Sequence, residues 1–236
     1  AGNLDSMVAH YTAAKKRRSE DFYSPGKQAG LRPDRATIVY ANRVREAFGP
    51  DMPIVIGGLE ASLRRFAHYD YWDDQVRRSI LLDAPADILT YGMGETATRE
   101  IARRLKKKER PGTMTDIKGT AVSGDDPAVC AYPCVTLPSF EDVAADKTAY
   151  ADATRVEYAE HDAVRGRALI QKHRDKYLLV NPPQMPLSTA ELDRVAALPY
   201  TREVHPMYDD MGGVPAIEEV RFSVIHNRGC IGWCNF

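Results

Sequence analysis

Apolar residues recur along the first part of the chain in two alternating rhythms. In "RPDRATIVYANRVREAF" they fall at Ile38, Val39, Val44 and Phe48, and Pro33 suits an N-terminal helical position, so a helix is predicted. "MPIVIGG" is a short apolar run closed by Gly57 and Gly58, the pattern of a buried parallel strand. "ADILTYGMG" repeats that pattern, and "ETATREIARRLKKKER" follows as a helix whose basic end complements the helix dipole. "DIKGTAV" is a further strand candidate. Strand, glycine turn, helix, strand is the order of an open α/β sheet.

From about residue 138 the texture changes. "SFEDVAADKTAYADATRVEYAEHDAVRGRALIQKH" is rich in alanine and charge, and predicts one long helix or a helical pair opened by a Ser139–Asp142 capping box. "KYLLVNPPQMPLSTAELDRVAALPY" reads as a strand, a proline-ordered turn and a short helix started by Ser188. "IEEVRFSVIHNRGC" alternates at Ile217, Val220, Phe222 and Val224, which predicts a strand running into a cysteine loop. The expected organisation is a Rossmann-like open parallel sheet over 1–125, a helical connecting region over 126–215 and a new element over 216–236.

Composition narrows the function classes. Hydrophobic residues at 44% and charged residues at 28% describe a chain able to bury a core. Thirty-two basic against thirty-three acidic side chains leave a net charge of -1, so no global basic field favours nucleic acid or anionic membrane. No apolar run is long enough to span a bilayer, and the N-terminal stretch lacks the pattern of a signal peptide, so a cytoplasmic location is expected. In that setting Cys130, Cys134, Cys230 and Cys234, two C-x-x-x-C pairs, point to metal or redox use rather than to disulfides.

Several motifs compete for the chemistry. "YGMGETA" fits G-x-G-x-x-A with Asp116 downstream, a dinucleotide fingerprint, but Glu95 would oppose a pyrophosphate at the helix N-terminus. "IGGLEAS" is a second glycine turn, with Glu60 opposing phosphate in the same way. "RRFAHYDYWDDQVRR" could line a pocket or form a polar helix capped at Asp70 or Asp73. His10, His161 and His173 read as surface residues. The four cysteines could form a structural zinc site, although Cys130 and Cys134 sit in a strand-like run without a tight turn.

The last nine residues, "RGCIGWCNF", begin a C-x-x-x-C-x-Φ-C pattern that lacks only its final cysteine. Three thiolates in such a loop bind three irons of a 4Fe–4S cluster and leave the fourth open. Gly229 and Gly232 let the loop wrap a bulky cluster. Here the chain resembles the YgiQ-type radical S-adenosylmethionine (SAM) proteins. "AGNLDSM", "PIVIGGLEASLRRFAHYDYWDD", "LPSFEDVAADKTAYA" and "NPPQMPLSTAELDRVAALPYTREVHPMY" carry that resemblance in order.

The resemblance implies a cobalamin-binding-like N-terminal domain and the start of a radical SAM barrel, truncated at both ends. It implies Cys230 and Cys234 as cluster ligands, a third cysteine just beyond Phe236, and Phe236 beside the SAM adenine. It implies reductive SAM cleavage to a 5′-deoxyadenosyl radical, with electrons from a donor such as flavodoxin or ferredoxin and an unknown substrate. The D-x-H-x-x-G loop of cobalamin binders is absent, which argues against cobalamin. The alternatives are a non-catalytic zinc-stabilised binding domain and a nucleotide-binding α/β enzyme.

Overall fold

The computed structural model describes residues 4–126, 129–224 and 228. Among these, the helices in chain order are α1 (Ser6–His10), α2 (Ala36–Phe48), α3 (Leu59–Leu63), α4 (Ile80–Asp83), α5 (Glu95–Lys106), α6 (Phe140–Ala145), α7 (Lys147–Ala159), α8 (Thr189–Ala196) and α9 (Ile217–Val220). The strands are β1 (Val55–Ile56), β2 (His68–Asp70), β3 (Gln75–Arg77), β4 (Ile88–Thr90), β5 (Thr120–Gly124), β6 (Cys134–Thr136), β7 (Ala168–His173) and β8 (Lys176–Val180). The chain divides into two units, one built mainly on 37–186 and the other on 5–36 together with 187–234.

The first unit holds a six-stranded sheet in the order β1-β4-β5-β8-β7-β6. Its strands alternate strictly between two cores. Leu89, Ala121, Leu169, Leu178 and Val180 enter one, with Ile56, Phe66, Ile80 and Leu81. Ile88, Val122, Ile170 and Leu179 enter the other, with Ala97, Ile101 and Met114. Successive strand side chains point to opposite faces. A sheet covered on both sides buries both alternating sets of its central strands, which is why those strands read as continuous apolar runs. Helix α5 covers the second face through Ala97 and Ile101, while Ala41 of α2, Ala61 of α3 and Ile80 and Leu81 of α4 cover the first.

The α/β class and the open sheet match expectation, but the sheet is mixed. β1 pairs β4 and β6 pairs β7 in parallel, whereas β4–β5, β5–β8 and β8–β7 are antiparallel. The β7–β8 pair shows the reason most directly. Only Arg174 and Asp175 join these strands, and a two-residue connection can link only antiparallel neighbours. β1 is also an edge strand in this sheet rather than an interior one, with Val55 39% exposed beside buried Ile56.

The helical connector expected over 126–215 supplies three strands to the same sheet as well as helices. The helical pair is present as α6 and α7, and Ser139 and Asp142 form the capping box. The run "ALIQKH", expected within that helical stretch, is β7: its β-branched and apolar side chains serve both cores. His173 is buried on this strand, stacked on Phe140 and bonded to Gln171, and His10 is buried too, so neither is a surface residue. Burial holds His173 well below the usual imidazole range, at about 4.

In the second unit, Asp5 caps α1 by accepting the Met7 and Val8 amides. His10 Nδ1 lies 2.7 Å from Asp34, and Arg32 pairs with Asp21 through two nitrogens. Ser188 starts α8 with a capping box to Glu191, as expected. Ile217–Val220 is the short helix α9 and not a strand. Glu218 and Glu219 in its first turn favour the helix dipole, and Phe222 and Val224 beyond it are exposed, with no strand among the described residues pairing this segment.

Two-faced burial makes the centre of the sheet far more sensitive than its edge. Leu89→Ala is expected to cost about 2–5 kcal/mol in chemical unfolding, and Val55→Ala well under half of that. Equal losses would contradict the placement of β4 and β1.

Candidate functional site

The strand directions concentrate chain ends at one rim. β4 and β8 both run against β5, so they are parallel to each other and to β1. The C-terminal ends of β1, β4 and β8 therefore share a rim, where Gly57, Tyr91 and Asn181 sit. That side of an open α/β sheet is where ligands ordinarily bind. Gly57 is required there by close approach, because a Cβ would meet the Thr90 hydroxyl at 2.5 Å. Gly58 then takes φ 84°, a left-handed conformation that favours glycine.

The turn after β1 leads through α3 to Arg65. Its guanidinium lies between two rings, 5.0 Å from Phe66 and 4.8 Å from Tyr91. Its Nη1 donates to the Ser62 carbonyl at 2.7 Å, while Nε is buried without a hydrogen-bond partner. Tyr91 is buried; its hydroxyl donates to the backbone carbonyl of Asn181, and burial raises its pKa. The Asn181 amide nitrogen donates to the Thr120 hydroxyl at 3.1 Å, leaving its Oδ1 buried and unpartnered.

From α7, Glu157 faces the same place. Burial raises its carboxyl to about 7, against the opposing pull of Arg65. Exposed His161 lies with its ring 6.1 Å from that of Tyr91. Glu160 accepts Arg167 through its amide and guanidinium and so closes the α7–β7 connection. A cavity of about 10 Å³, room for roughly one water, lies among Arg65, Tyr91, Glu157, His161 and Asn181. The arrangement offers a donor, an acceptor and a carboxyl that changes protonation near neutrality.

The residues singled out from sequence fare differently. Gly57 and Gly58 belong to this rim, but Glu60 is buried and accepts the Thr37 amide at 3.0 Å, so it serves α2. Gly94 opens α5 with Glu95 in its first turn. Asp116 is held by Arg104 of α5 through two bonds of 2.6 Å, so that carboxylate is not available to a ribose. "HYDYWDDQVR" is the β2–β3 hairpin rather than a helix, and Asp70 turns it by accepting the Trp72 and Asp73 amides.

Cys134 is the first residue of β6 and Cys130 lies four residues before it, and the two form no disulfide. Burial, then a hydrogen bond with Cys134, pushes the Cys130 thiol up to about 11. No group of three or more His, Cys, Asp or Glu able to hold a metal occurs among the described residues. Cys230, Cys234 and Phe236 lie outside the described residues. Arg65, Glu157 and Asn181 were not picked out from sequence. An arginine inside an aromatic run and an asparagine at a strand end before two prolines were the available signals; Glu157 had none.

The comparisons with known proteins decide the family. The Radical SAM N-terminal family matches residues 1–223. The chain belongs to that family. It is 53% identical over 237 residues to a UPF0313 protein of Clostridium botulinum (strain ATCC 19397 / Type A), covering all of this chain and 36% of that protein. It is 52% identical over 235 residues to a UPF0313 protein of Clostridium perfringens (strain SM101 / Type A), again covering all of this chain and 35% of that protein. The chain thus spans about a third of the length of these curated relatives. No solved structure matches it. No helix among the described residues is long and apolar enough to cross a membrane.

Glu157 provides a direct check on the rim. A carboxyl raised above its unfolded value contributes stability that is present at low pH and lost as pH rises through about 7. Wild type should therefore lose stability between pH 5 and 8 relative to Glu157→Gln, read from paired urea unfolding curves. A flat difference across that window would contradict the burial of Glu157.

Proposed function

We propose that this chain is part of a YgiQ-type radical SAM enzyme whose cluster loop begins at Cys230. The observation that carries the reading is "CIGWCNF" on a chain whose residues 1–223 match the Radical SAM N-terminal family. Cys230 and Cys234 would hold two irons of a 4Fe–4S cluster as thiolates, with a third cysteine next after Phe236. Two soft thiolates separated by a glycine-bearing loop suit iron and sulfide. Gly232 keeps the loop free of side-chain bulk where it must wrap the cluster, and Phe236 would flank the adenine of SAM. When bound, the cluster supplies the electron that cleaves SAM to methionine and a 5′-deoxyadenosyl radical, which takes hydrogen from a substrate.

A small electron-transfer protein such as flavodoxin or ferredoxin, in the cytoplasm, fits as the reductant. Cobalamin has no support in the residues, since the cobalt-ligating histidine loop is missing.

After anaerobic reconstitution with iron and sulfide, the full-length protein should carry about four irons and form 5′-deoxyadenosine under a strong reductant. Cys230→Ala or Cys234→Ala should abolish both signals, and Cys130→Ala should leave them nearly intact. Zinc without iron, or turnover by Cys230→Ala, would overturn the proposal.

A further inference from the structure

We infer that an open cavity on the α5 side of the sheet binds a small aromatic amine, with the ring inside and the ammonium at the mouth. The cavity measures about 250 Å³. Its floor is Val122 of β5, Ile170 of β7 and Leu179 of β8, and Gly112 and Thr113 form part of its wall. Helix α5 covers this face of the sheet through Ala97 and Ile101, but none of the described lining residues belongs to it. Two glycines keep the space clear. Gly124 pairs with Tyr177 across β5 and β8, on the face that Val122 shares, where strand alternation would place a side chain. A Cβ at Gly124 or Gly112 would meet nothing within 4 Å, and neither glycine has a positive φ, so the backbone of both admits larger residues.

Size, wall and charge converge on one ligand class. An apolar cavity of about 150 Å³ takes up benzene, so about 250 Å³ admits a fused two-ring group. Tyr177 lines the cavity and packs against the same core, which offers a ring for an aromatic ligand to stack on. Asp125 and Asp126 line it from exposed positions, and the described lining carries no basic side chain. A carboxylate or phosphate would meet like charge there, whereas an ammonium is attracted. Lys176 pairs with Asp125, but both side chains are exposed, and such a pair gives way at little cost.

Binding here needs no cluster. Tryptamine, indole and indole-3-acetate share a ring system and differ in charge, and each would be titrated into the full-length protein by calorimetry at neutral pH and low salt. Tryptamine should bind with a Kd at or below about 1 mM and indole-3-acetate at least about tenfold more weakly, with indole between them. Gly124→Leu, which fills the cavity from a strand position, should weaken tryptamine binding at least about tenfold while the unfolding midpoint stays at or above that of wild type. Should that variant fail to fold, Gly112→Leu makes the same test from the opposite wall. Asp125→Asn combined with Asp126→Asn should bring tryptamine to the affinity of indole and leave indole unchanged. Absence of tryptamine binding at about 10 mM, equal affinity for tryptamine and indole-3-acetate, or unchanged affinity in a folded Gly124→Leu or Gly112→Leu protein would overturn the inference.

Discussion

Burial of both faces of one sheet is the constraint on which the first unit rests. Ile88 and Leu89 are adjacent, both fully buried, and belong to different cores. The same division recurs at Leu169 and Ile170 and at Leu178 and Leu179. Each strand can satisfy both cores only in one register, since a shift by one residue exchanges the two sets. Helix α5 on one face and α2, α3, α4 and α7 on the other are then required coverings.

Such a layered arrangement covers the faces and leaves the strand ends open. Chemistry must collect there, and the polar groups of this unit do so. Glu60 leaves the rim to serve the α2 amides, and Asp116 is held by Arg104, which removes two acidic groups from the glycine turns. What stays at the rim is Arg65 between its rings, Asn181 locked by Thr120, and Glu157. There the charges of Arg65 and Glu157 act on each other, and Asn181 Oδ1 is buried without a hydrogen-bond partner.

Much of the fold was legible in the chain. Strands closed by glycines at Gly57–Gly58 and Gly92–Gly94, and the capping boxes at Ser139 and Ser188, are local signals, and local signals survive folding. Strand direction was not legible, because it depends on which edges remain open once the first pair has formed. β7 hid inside an alanine-rich stretch because "ALIQKH" carries no punctuation of its own before Arg174. The alternation at Ile217–Val224 misled for the opposite reason: a period of two yields a strand only where a neighbouring strand can pair it. Arg65 and Asn181 are far apart in sequence and acquire meaning only when β1, β4 and β8 end at the same rim. The cysteine pair at Cys230 and Cys234 needed no such convergence, since its donors are adjacent in the chain.

The chain belongs to the Radical SAM N-terminal family and spans about a third of the length of its curated relatives, and the central claim of the proposal is that Cys230 and Cys234 belong to a cluster that SAM touches. Electron paramagnetic resonance of the full-length, anaerobically reconstituted and reduced protein addresses that claim most directly. The account predicts a 4Fe–4S signal whose shape changes when SAM is added, because SAM then ligates the open iron. A signal indifferent to SAM, or no iron–sulfur signal at all, would contradict it.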